Sequence, residues 1–152
     1  MRSINLAVWH CSANKPDEDR SIADIDHAHR NRKYPFRKGG YHIYIRRNGT
    51  LEFGPEYGRM VWEIGAHAKG FNRNSIGICY EGGLDENGKP ADTRTPAQRQ
   101  AMKYVKQMIN FCFPGIEHTG HRDLSVDLNG DGVISKSEWM RSCPCYDVKS
   151  ES

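Results

Sequence analysis

The chain has 152 residues, 37% of them apolar, and a formal net charge of +3. That length suits one domain with one core, and a mean hydropathy of −0.78 with only strand-sized apolar runs leaves no room for a membrane span. The mild positive charge comes without a dense Lys/Arg stripe interleaved with aromatics, so no nucleic-acid footprint is present.

MRSINLAVWH carries no long apolar segment and no small-residue cleavage site, so it does not read as a signal peptide. Residues 3–9, SINLAVW, read as a buried first strand with His10 at its end. Ser12 to Arg20 is polar, holds Pro16 and reads as a loop. Ser21 can cap a helix that starts at Ile22, has Asp24 in its first turn and ends near Asn31. Ile22, Ile25, Ala28 and His29 recur at helical spacing and are expected to face the core. After a Lys38-Gly39-Gly40 turn, YHIYIRR and TLEF read as a β-hairpin, with Asn48-Gly49 predicting a type I′ turn.

GAHAKGFNRN at 65–74 reads as a loop, SIGICY from Ser75 as a second buried strand, and residues 82–94 as a long polar loop. Thr95, with Pro96 at the first helical position and Gln98 completing a capping box, starts the clearest helix. Its predicted apolar stripe is Ala101, Val105, Met108, Ile109 and Cys112, and Pro114-Gly115 ends it. Ile116 to Thr119 then form a short strand leading to His121. The sum is an α/β protein: a mixed central β-sheet flanked by helices, in a single domain over 1–152. Five cysteines, an odd number, argue against a disulfide framework. Cys79 and Cys112 read as buried packing residues, and Cys11 as buried opposite His10.

DLNGDGVISKSE, at 127–138, fits a twelve-residue calcium loop. Asp127, Asn129 and Asp131 fill its first, third and fifth positions, and Gly132 the sharp turn. Val133 would offer its carbonyl, Ser135 the ninth position and Glu138 two carboxylate oxygens, with Ile134 packing inward. HTGHRDLSV before it does not read as a helix, and a short helix over Lys136 to Arg141 can come after it, so a single structural clamp is expected rather than a sensor pair. Around the loop stand His121 and Cys143, both natural zinc ligands, but spacing alone does not choose a ligand set from seven histidines and three nearby cysteines.

A resemblance narrows that choice. VWHCSA at 8–13, GGYHIYIRRNGTLEFG at 39–54, GAHAKGFNRNSIGICYEGG at 65–83, TPAQ at 95–98, GHRD at 120–123 and CPCYD at 143–147 occur in this order. Together they resemble the N-acetylmuramoyl-L-alanine amidases of the type-2 amidase family, which includes phage lysozyme-type amidases and is related to the peptidoglycan recognition proteins. The resemblance implies zinc held by His10, His121 and Cys143. It implies Tyr41 as a hydroxyl at the reacting centre, and Arg141 stabilising an oxyanion where active relatives often carry Lys. His67, Lys69 and Asn74 become candidate substrate contacts, while His29 and His42 read as hydrogen-bonded core histidines and His118 as a surface or supporting residue. Three features depart from the family pattern: Arg141 itself, Cys79 where many relatives place Glu, and the calcium-loop insertion between His121 and Cys143.

The activity that the resemblance implies is zinc-dependent hydrolysis of the amide between N-acetylmuramic acid and L-alanine. Calcium would be a structural cofactor, peptidoglycan or muropeptides the partner, and a monomer the expected state. The alternative is a peptidoglycan recognition module without turnover. The expected setting is synthesis in a bacterial or phage-infected cytoplasm, with action on the cell wall or on cytoplasmic muropeptides.

Overall fold

The computed structural model describes residues 2–151. Five strands form one sheet in the order β3-β2-β4-β1-β5: β1 (Leu6–Cys11), β2 (Ile43–Ile45), β3 (Leu51–Glu52), β4 (Ser75–Tyr80) and β5 (Glu117–Gly120). β1 runs parallel to both β4 and β5, and β2 parallel to β4, while the short edge strand β3 is antiparallel to β2. Two helices complete the frame, α1 (Ile22–Arg30) and α2 (Pro96–Cys112). This is the mixed, helix-flanked α/β sheet that the sequence predicts.

β1 and β4 are buried at every position because both of their faces are covered. Alternation then sorts the side chains. Ala7, Trp9 and Cys11 of β1 and Ile76, Ile78 and Tyr80 of β4 share a core with Met102, Val105 and Ile109 of α2. The other face of the same strands carries Leu6, Val8 and His10 from β1 and Ser75, Gly77 and Cys79 from β4; Cys79 packs with Tyr44 and with Ile22 and Ile25 of α1.

Both predicted helix caps form as capping boxes, Ser21 with Asp24 and Thr95 with Gln98. Four local expectations are corrected. On α1, Asp26 takes a buried place while Ala28 is exposed, because the Asp26 carboxylate accepts from the Gly39 amide at 2.7 Å and from Arg30 Nε at 2.8 Å. The buried stripe of α2 is Gln98, Met102, Val105 and Ile109, with Met108 and Cys112 exposed. Gln98 holds a core slot because its Nε2 donates to the Glu81 carbonyl at 2.8 Å and the Ile45 carbonyl at 3.3 Å, capping the ends of β4 and β2.

The hairpin turn is not type I′. Gly49 has φ +85° while Asn48 keeps an ordinary backbone. The Gly49 amide donates to Arg46 O and the Arg46 amide to Thr50 O, both at 2.9 Å. That pattern is a three-residue loop in which only the last residue needs the left-handed region. Finally, the helix expected over Lys136 to Arg141 is a single 3-10 turn, Lys136–Glu138.

Candidate active site

The site forms at the carboxyl ends of the parallel strands, where open α/β sheets place their ligands. His10 is the penultimate residue of β1. β5 pairs with β1 so that Gly120 lies opposite Trp9, which sets the next residue, His121, beside His10; their rings are 4.5 Å apart between centroids. Cys143 returns to the same point. Its carbonyl accepts from the Arg122 amide at 2.8 Å, its Sγ from the Cys11 amide at 3.3 Å, and the next residue's carbonyl from the Tyr80 hydroxyl at 2.6 Å.

One ligand atom from each of His10, His121 and Cys143 lies within 4.8 Å of the others. His10 Nδ1 is the nitrogen that faces Cys143 Sγ, at 3.8 Å. Two imidazoles and a thiol form a donor set that fits zinc. Cys145 does not compete for this point: its Sγ lies 3.9 Å from Cys11 Sγ, on the α2 side of the sheet. All five cysteines are free thiols.

Electrostatics keep the two imidazoles in the ligand form. Burial, followed by the neighbouring His67, His121 and Arg141, holds the His10 imidazole well below the usual histidine range. Burial and then the Arg141 charge bring His121 down to about 4. Both are therefore neutral near pH 7, as metal binding requires.

Tyr41 stands over the site with its ring 5.1 Å from that of His10. Burial and then the Cys79 and Cys143 thiols raise its phenol, so it remains a neutral hydroxyl. Its backbone is fixed by a close approach at Gly40, where a Cβ would lie 2.1 Å from the Ala66 carbonyl oxygen. Arg141 is exposed, yet near enough for its charge to act on both histidines.

The predicted substrate residues do not stay together. His67 is only 8% exposed and sits behind His10, with Nδ1 3.0 Å from His10 Nε2 and Nε2 3.3 Å from Ser75 Oγ. Lys69 is exposed on the same loop. Asn74 immediately precedes β4, at the end of the sheet away from His10, where its amide donates to Asn5 Oδ1 at 2.7 Å. Two residues that sequence reasoning passes over fix the His67 loop. Asn72 Oδ1 accepts from the His67 and Ala68 amides, each at 2.9 Å, and Ser75 anchors the ring. An Asn five residues after a His, just ahead of a strand, is the only local trace of this arrangement.

The other histidines support the frame. His42 Nδ1 accepts from the Gly77 amide and His29 Nδ1 from the Gly40 amide, both at 3.0 Å. His118 accepts from Trp9 Nε1 at 3.0 Å.

The 127–138 loop folds on its own amides. Asp127 accepts from Gly130 and Gly132, Asn129 from Asp131, and Asp131 from Val133. Glu138, 6% exposed, accepts from Leu128 and Asn129 with one oxygen and from Ser135 with the other. Among the described residues, the carboxylates of Asp127, Asp131 and Glu138 are not gathered as closely as the His10 group. Val133 is exposed, and Ile134 only half-buried. The base of the loop is pinned where the Met140 amide donates to Ser125 Oγ at 3.0 Å, and the Arg122 guanidinium stacks on Trp139 at 3.9 Å.

Residues 1–144 match the family model described as N-acetylmuramoyl-L-alanine amidase. The endolysin of Enterobacteria phage T3 is 33% identical over 149 residues, which cover 97% of this chain and 85% of that one. Among solved structures, the N-acetylmuramoyl-L-alanine amidase LysC from Clostridium intestinale superposes with a TM-score of 0.69 at 24% identity, covering 99% of this chain and 82% of the other. A mutant of Drosophila PGRP-LB in complex with tracheal cytotoxin gives a TM-score of 0.69 at 19% identity, covering 99% and 80%. The structural likenesses show a shared fold.

Proposed function

This chain belongs to the N-acetylmuramoyl-L-alanine amidase family, and we propose that its peptidoglycan amidase activity is zinc-dependent. The bond cut is the amide between the lactyl group of N-acetylmuramic acid and L-alanine. The observation that carries the zinc reading is the convergence of His10, His121 and Cys143 from three separate segments onto one point.

A zinc ion there would supply Lewis-acid chemistry, acidifying a water and polarising the scissile carbonyl. The protein's own groups do the rest. Neutral His10 and His121 and the Cys143 sulfur would form the cradle. Tyr41, kept protonated by burial, offers a hydrogen bond to the oxygen on which negative charge develops. Arg141 adds a fixed positive charge at the rim, where a planar guanidinium donates but does not give up a proton. Lys69, on the exposed rim of the 65–74 loop, is the remaining candidate contact to substrate. The wall polymer or its muropeptide fragments are the substrate class, and the cell wall the place of action. No helix among the described residues is long and apolar enough to cross a membrane.

Cys143→Ser tests this reading. It is expected to abolish release of L-alanine-terminated peptide while leaving the fold and polymer binding intact. Wild-type turnover by the variant would overturn the zinc assignment.

The 127–138 loop carries a smaller part of the proposal, a structural calcium clamp. Its support is the ligand pattern Asp127, Asn129, Asp131, Val133, Ser135, Glu138 and the turned backbone at Gly132, φ +81°. Millimolar calcium, but not magnesium, is expected to raise the thermal midpoint of the wild type and not that of Glu138→Gln. Equal midpoints with and without calcium would remove the clamp and leave the amidase untouched.

A further inference from the structure

His67, 8% exposed, is a buried polar side chain beside His10 that the proposed chemistry does not use. Its ring is built in from every side. The loop that carries it is fixed by Asn72, which takes the His67 and Ala68 amides. The two flanking glycines make the slot: a Cβ at Gly77 would lie 2.5 Å from the His67 ring, and one at Gly65 2.6 Å from it. One ring nitrogen meets His10 Nε2 at 3.0 Å and the other Ser75 Oγ at 3.3 Å. His67 is not in the group that gathers at Cys143.

We propose that His67 is a positioning residue that fixes the tautomer and angle of His10. Ser75 Oγ accepts the proton of His67 Nε2. His67 Nδ1 is then a bare acceptor and takes the proton of His10 Nε2. His10 is thereby held as the Nε2–H tautomer, and its Nδ1 lone pair points at the Cys143 side of the site, where Nδ1 already lies 3.8 Å from Sγ. A ligand histidine needs this kind of partner, because a free imidazole divides its proton between two nitrogens and rotates. The chain Ser75–His67–His10 also explains why Ser75 and Gly77, with Gly65 beside the ring, leave room for a histidine on the face of the sheet that carries His10. It removes His67 from the candidate substrate contacts.

The inference deepens the zinc reading and rests on it for the role of His10, so its test has two independent readouts. The first is the imidazole nitrogen NMR spectrum of the zinc-free protein, which reports the His10 tautomer without any metal. The second is zinc affinity from competition with a chromophoric chelator. The variants are His67→Phe, which fills the slot without an acceptor, His67→Asn, whose Oδ1 can stand in for Nδ1, and Ser75→Ala.

In the wild type His10 is expected as the Nε2–H form. His67→Phe should mix the tautomers and weaken zinc binding by about 10- to 100-fold, with KM for muropeptide unchanged. His67→Asn should restore most of the loss, and Ser75→Ala should fall between. Unchanged zinc affinity and an unchanged tautomer in both His67 variants, with a raised KM, would overturn the inference and make His67 a substrate contact. Complete loss of zinc in His67→Asn as well would overturn it in favour of direct ligation. If the wild type shows the His67-dependent tautomer yet binds no zinc, the positioning holds and the zinc reading fails.

Discussion

The two faces of the β1–β4 sheet are built from alternate residues of the same two strands, yet they do different work. Towards α2 the strands present Ala7, Trp9, Cys11, Ile76, Ile78 and Tyr80, a face packed on Met102, Val105 and Ile109. Towards the site they present His10, Ser75, Gly77 and Cys79, with His67 laid over Gly77. One face is held by apolar area, which is additive and tolerant of repacking. The other carries two small apolar clusters, Leu6 and Val8 with Ala68 and Cys79 with Tyr44, Ile22 and Ile25, and beside them a set of directional hydrogen bonds and close approaches around His10. Stability and chemistry are therefore separable in this molecule, one residue apart along a strand.

The largest effect should come from the packed face. Ile78 is fully buried against α2, and Ile78→Ala is expected to cost roughly 2–5 kcal/mol of folding free energy. Activity per folded molecule should be unchanged. Urea unfolding combined with an active-site titration measures both, and a loss of kcat at full folding would break the separation.

Next is the rim of the site. Arg141→Ala should lower kcat about a hundredfold, the usual scale for loss of one group that stabilises an oxyanion. The thermal midpoint should not move, since Arg141 is exposed. Arg141→Lys should keep most of the rate, and equal rates for all three proteins would remove Arg141 from the chemistry.

Acid should sharpen the contrast further. Burial brings His42 down to about 4, while the unfolded chain binds its proton near 6.5. The unfolded state therefore takes up protons first. Stability is complete above pH 6.5, declines as pH falls towards 4 and levels off below it, a loss of at most roughly 3 kcal/mol from this residue. His29 lies in the same direction, also at about 4 from burial. The α2 face has one histidine of this kind, His118, bonded to Trp9 and Asn110 and brought to about 4 by burial and then by Lys106, against two on the site side, so acid should loosen the site side more. Hydrogen exchange at pH 5 should show Gly77 and Gly40 opening ahead of the α2 amides, and equal protection on both sides would contradict this.

The same division governs how much is legible in the sequence. Apolar runs with turn signals mark β1, β4 and β5, and capping boxes mark both helix starts, because those signals are local. The α2 stripe departs from its apolar pattern since Gln98 is buried by two carbonyls that only the folded sheet brings to it. Asn48-Gly49 marks a hairpin correctly, but the turn type depends on where the Arg46–Thr50 bond closes. At the site, His10, His121 and Cys143 are legible only through the order of family-like segments, since more than a hundred residues separate the first from the second. His67 is marked by its family-like segment, but its contact with His10 is not legible, because that depends on the 65–74 loop folding back onto Gly77. Asn74 escapes it because a polar residue beside a strand looks the same at either end.

The most direct test of zinc-dependent amidase chemistry is release of free L-alanine amino groups from purified peptidoglycan by protein with and without a zinc chelator. Release is expected from the zinc-loaded protein. It should stop with the chelator and return with zinc but not with calcium. Zinc-loaded, calcium-loaded protein that binds the polymer and releases nothing would contradict it and leave a recognition module in its place.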